Sequence, residues 1–79
     1  MQIHIGDLIR EELMRKPKNY SVTWFAHQLN CDRRNVYSIF HRKNVDVELL
    51  MRISEILDHD FFKDLSNELG KDRNKKLEK

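Results

Sequence analysis

This sequence predicts an all-α fold of five helices, and two observations carry the prediction. The 79 residues include only two glycines and one proline, too little turn chemistry for a sheet protein of this size. Apolar residues also return every three or four positions, the spacing that gathers them on one side of a helix. With 39% hydrophobic and 35% charged residues, the chain has the balance of one small globular domain that must pack efficiently to be stable.

Helix one is expected over about residues 6–16. Ile5, Leu8, Ile9 and Leu13 form its stripe, and Pro17 disfavours helical geometry at Lys16. Ser21 is placed to cap a short second helix whose inward side reads Val22, Phe25, Ala26 and Leu29. It closes near Asn30, a residue that tolerates the left-handed conformation at a helix end. Asp32 caps helix three, which turns Val36, Ile39 and Phe40 inward and runs to about His41. Asp46 opens helix four, and Leu49, Leu50, Ile53, Ile56 and Leu57 give it the broadest stripe in the chain. After the polar break Asp58-His59-Asp60, Phe61, Phe62, Leu65 and Leu69 form helix five, with Gly70 in the position of a terminating glycine. The domain therefore covers residues 1–70. Residues 71–79 read as a charged, disordered tail.

Composition excludes several classes. No apolar run approaches the length of a membrane span. The first residues lack the basic head and long apolar stretch of a secretory signal, which predicts a soluble, cytoplasmic protein. Cys31 has no intrachain partner for a disulfide. Cys31, His27 and His41 lack the spacing of a zinc site, so no metal or other cofactor is expected. No glycine-rich phosphate loop and no nucleophile-base pairing is recognisable, so the chain is not expected to be an enzyme, and no small-molecule ligand is evident.

Net charge is +2, but it is unevenly spread. Residues 18–43 hold five bases against Asp32 alone, a net +4, whereas residues 44–70 hold seven acids against two bases, a net −5. Such a layout suits a molecule that turns one face to a polyanion and the other away.

The basic stretch contains a motif. Two short helices joined by a tight turn cross closely, which calls for a small residue inside the first; Ala26 fills that position. Counting Ala26 as the fifth motif position, Leu29 is the eighth, Asn30 the turn at the ninth, and Cys31, Val36 and Ile39 the tenth, fifteenth and eighteenth. This is the template of a helix-turn-helix, here spanning about residues 22–41. In these residues the sequence resembles the phage-repressor-like (XRE) family that includes Cro and the lambda repressor, with Asn30 in place of the usual glycine. The resemblance covers residues 5–69. It implies a lambda-repressor-like five-helix fold, sequence-specific binding of double-stranded DNA, and transcription regulation. Many members begin the motif with a glutamine that touches phosphate; this chain has Val22 there, leaving Thr23 as the substitute.

Helix three can be read without the family. At about 100° per residue, Val36, Ile39 and Phe40 cluster on one side and Arg34, Ser38 and His41 face away, flanked by Tyr37. Arg33 and Arg34 occupy the first turn, where an arginine can grip guanine O6 and N7 in the major groove. Two arginines there oppose the helix macrodipole, which favours a functional role over a structural one. The base-contacting candidates are Arg33, Arg34, Tyr37 and Ser38. The phosphate-contacting candidates are Thr23, His41, Arg42 and Lys43. Tyr37 has three readings: thymine methyl, phosphate, or a cover for the core edge. Trp24 reads as a half-buried brace.

Phe61 and Phe62 are adjacent, so both cannot face one core, and one is expected near the surface. In the family the fifth helix often forms the dimer contact, which implies a homodimer through Phe61 or Phe62. A reading from another class is a protein-interaction module, adaptor or antitoxin-like, that presents the same basic face to an acidic protein.

Overall fold

The computed structural model describes the backbone of residues 3–77 and the side chains of residues 3–71. Among the described residues the chain forms five helices and no strand: α1 (Ile5–Arg15), α2 (Val22–Gln28), α3 (Arg33–Phe40), α4 (Val47–Leu57) and α5 (Phe61–Leu77). None of them is long and apolar enough to cross a membrane.

Local chemistry explains where these helices start. The first amides of a helix have no intrahelical acceptor, and here side chains supply one each time. Ser21 Oγ accepts from the Trp24 amide at 3.0 Å, and Asp32 Oδ1 accepts from Asn35 at 3.0 Å. Asp46 Oδ1 accepts from Leu49 at 2.8 Å, and Asp60 Oδ1 accepts from Lys63 at 3.1 Å. Two helices end on left-handed residues. Asn30 (φ 57°) follows α2 and Asp58 (φ 51°) follows α4. Past each, the next amide reaches back five residues: Cys31 donates to the Ala26 carbonyl at 3.0 Å, and His59 to the Ser54 carbonyl at 3.0 Å. That pairing satisfies carbonyls which the end of a helix otherwise leaves open.

All five helices feed one core. Ile5, Ile9 and Leu13 come from α1, Phe25 and Ala26 from α2 with Leu29 just after it, Val36, Ile39 and Phe40 from α3, Leu50, Ile53 and Leu57 from α4, and Phe61 from α5. Each large side chain sealed there contributes about 1.5–3 kcal/mol relative to exposure. Trp24 is half-buried and packs against Tyr20, the ring centroids 4.5 Å apart and the planes tilted by 55°.

Three features of the C-terminal part differ from expectation. Phe61 is only 1% exposed, which removes it as a candidate contact, while its neighbour Phe62 is half-buried. Leu69, one of the apolar residues that predict helix five, is 50% exposed. Gly70 does not end the helix: no glycine has a positive φ, and α5 continues to Leu77. Most residues after Gly70 are good helix formers. Residues 78 and 79 of the expected disordered tail lie outside the described residues.

A buried carboxylate ties α1 to the corner between α4 and α5. Glu12 is 9% exposed. Its oxygens lie 3.1 Å from Arg15 Nη1, 3.5 Å from Lys16 Nζ and 3.6 Å from His59 Nδ1. The other ring nitrogen of His59 lies 2.7 Å from Asp64 Oδ2, and the imidazole packs edge-on against Phe61. A carboxylate this buried is tolerable only with such partners.

Candidate nucleic-acid interface

The helix pair of the motif is assembled by its turn. The caps at Ser21 and Asp32 set both starts, and the left-handed Asn30 swings the chain between them. Ala26 is 4% exposed at the junction, where a larger residue would hold α2 and α3 apart. Below the turn lies Cys31, partly buried. Burial, seconded by the Asp32 carboxylate and opposed by Arg52, pushes its thiol pKa up. A raised pKa disfavours the thiolate, in keeping with a small packing group.

All eight candidate residues lie on the surface. Val36, Ile39 and Phe40 are sealed inward, while Arg33, Arg34, Tyr37, Ser38 and His41 of α3 and its C-cap are exposed, as are Thr23, Arg42 and Lys43. Thr23 shares a shallow groove of about 500 Å³ with Arg33 and Arg34. Tyr37 and His41 share another with α1. Among the described residues, none of Arg33, Arg34, Arg42 and Lys43 is in an ion pair; the acids that pair do so elsewhere, at Asp7, Glu12, Asp64 and Glu68.

No family model, no curated protein and no solved structure matches this chain. Its chemistry has to be read from its own side chains. Among the described residues no three His, Cys, Asp or Glu side chains converge as metal ligands would.

Two residues at this face were not singled out from the sequence. His27 lines the same groove as Thr23, Arg33 and Arg34; its place one turn after Thr23 on α2 was the available signal. Gly6 is the other, and it works indirectly. The start of α1 abuts the end of α3 so tightly that a Cβ on Gly6 would lie 2.3 Å from the Phe40 carbonyl oxygen and 2.5 Å from that of Ile39. This contact lets the Ile5 amide donate to the Lys43 carbonyl at 3.0 Å and the Gly6 amide donate to that of Arg42 at 2.9 Å. The first amides of α1, which would otherwise lack partners, hold the loop that carries Arg42 and Lys43. That loop is positioned by backbone, leaving both side chains free to reach outward.

Proposed function

We propose that this protein is a sequence-specific regulator of transcription that reads double-stranded DNA with α3, as a member of the lambda-repressor-like class. One observation carries the reading: four exposed cations, without an ion-pair partner among the described residues, bracket a helix whose outward side offers Arg34, Ser38 and His41. Arg33 and Arg34 in the first turn suit guanine edges, Ser38 is short enough to permit close approach, and Tyr37 borders them. Thr23, His41, Arg42 and Lys43 suit the flanking phosphates, fixing the register in which the bases are read.

The test is a selection of preferred sites from random duplexes, followed by affinity measurements across salt concentrations. Specific DNA binding predicts a log-log salt dependence with a slope of about −0.9 for each phosphate contacted. Arg34→Ala should cost about 1–3 kcal/mol at the preferred site and relax specificity at one base pair. A footprint unchanged by that substitution refutes α3 as the reading element. Absence of any preferred duplex, with tight binding to an acidic protein instead, would favour the interaction-module reading.

Pairing of two copies belongs to the same proposal, now centred on the half-buried Phe62 of α5 and not on Phe61. Two readers about 34 Å apart would select near-palindromic sites carrying two chains. An asymmetric site saturated by one chain would refute the pairing.

A further inference from the structure

The reading helix has an apolar flank. Between α1, the start of α2 and the C-terminal half of α3 runs a groove of about 420 Å³. Met14, Val22, Tyr37 and Phe40 form its apolar walls, with the Arg10 guanidinium and the His41 imidazole at its edge. Met14 is 67% exposed and Tyr37 45%; the ring of Tyr37 is held edge-on to Phe40 at 6.0 Å. Asp7, the acid in the lining, faces His4 at 3.5 Å.

The groove is continuous with the face proposed to read DNA, since Tyr37 directly precedes Ser38 and lies three residues after Arg34. A duplex gripped by Arg34 and Ser38 would bring the floor of its major groove to this opening. Base edges there are donors and acceptors that an apolar groove would leave unpaired, at a cost. One apolar group is presented in the major groove, the C5-methyl of thymine. Arg10 complements the charge of the phosphates that accompany it, and the His41 imidazole can donate a hydrogen bond to one.

We propose that this groove receives a thymine methyl group, with Tyr37 and Met14 as specificity-determining residues. The proposal rests on the DNA-reading function above. It is tested by replacing each thymine of the preferred duplex singly with uracil, which removes the methyl and keeps the pairing. At one thymine per half-site the affinity should fall about fourfold, the equivalent of about 0.8 kcal/mol for one buried carbon group. Tyr37→Ala and Met14→Ser should each bind the thymine and uracil duplexes alike. Circular-dichroism spectra and melting temperatures like those of the wild type show that both variants are folded.

If uracil is tolerated at every position, or if thymine is still preferred after both substitutions, the groove does not read the methyl, although DNA recognition stands. A protein without any preferred duplex overturns the proposal and the DNA-reading function together. If the free protein is dimeric and Met14→Ser makes it monomeric, the groove belongs to a second copy and the thymine assignment is wrong.

Discussion

Gly6→Ala should markedly lower the melting temperature of this protein, although helix propensity alone argues for the opposite sign. Alanine favours a helix interior over glycine by up to about 1 kcal/mol. Against that gain stand the Phe40 and Ile39 carbonyl oxygens, 2.3 and 2.5 Å from the added carbon. These are backbone atoms and cannot rotate aside, so the start of α1 has to withdraw from the end of α3. Overpacking of this kind costs about 1–3 kcal/mol. Withdrawal also breaks the bonds from Ile5 to Lys43 and from Gly6 to Arg42, now 3.0 and 2.9 Å long, at about 1 kcal/mol each. The net loss is about 2–4 kcal/mol, out of a total of about 4–12 kcal/mol expected for a chain of this length. At about 4–8 °C for each kcal/mol, the melting temperature should fall by at least about 8 °C. Thermal unfolding followed by circular dichroism at 222 nm measures it. A variant that melts at or above the wild-type temperature would refute the close approach of α1 to α3.

Other substitutions probe the motif. Ala26→Leu should overpack the crossing of α2 and α3 and lower stability by about 1–3 kcal/mol in urea unfolding; an unchanged midpoint would contradict the crossing. Asn30→Gly should preserve or raise stability, whereas Asn30→Val should lose about 1–2 kcal/mol by forcing a β-branched residue to the positive φ of that turn; equal stability of the two variants would refute the left-handed turn. Cys31 should react with iodoacetamide along a pH profile displaced to the alkaline side of that seen in denaturant, because its folded pKa lies above the ordinary 9.0. The folded state then holds a proton that the unfolded state releases, so this group's contribution to stability is complete below pH 9.0 and is lost as the pH rises through the folded pKa. Coincident reactivity profiles would rule this out.

What could be read in advance was local. Ser21, Asp32 and Asp46 announce helices because a short polar side chain can bond an amide three residues on, and Asn30 announces a turn because few other residues accept its backbone. The outward side of α3 follows from period alone, since sealing Val36, Ile39 and Phe40 leaves Arg34 and Ser38 nowhere but outside. What escaped depends on neighbours distant in sequence. Gly6 looks like an indifferent residue until the end of α3 is laid against it, and Glu12 looks like one more surface acid until His59 arrives from the far end of α4. Phe61 and Phe62 are chemically alike, so only the approach angle of α5 decides which is sealed. Gly70 misled because a glycine is only permissive: it ends a helix when the chain needs to turn there, and α5 does not turn.

The bonds from Ile5 and Gly6 to Lys43 and Arg42 also bear on how the molecule comes apart. The beginning of a helix near a chain end is ordinarily the first part to open, because its amides face water and little cooperative structure depends on them. Here those amides fasten α1 to the far end of α3, closing a loop of chain that encloses α2 and the whole motif. α1 therefore cannot fray by degrees: to release its first turn is to free the Arg42-Lys43 segment as well. The first turn of α1 and the exposed face of α3 stand or melt as one unit, while α4 and α5 lie outside the loop and are joined to it by packing and, among the described residues, by the carboxylate of Glu12.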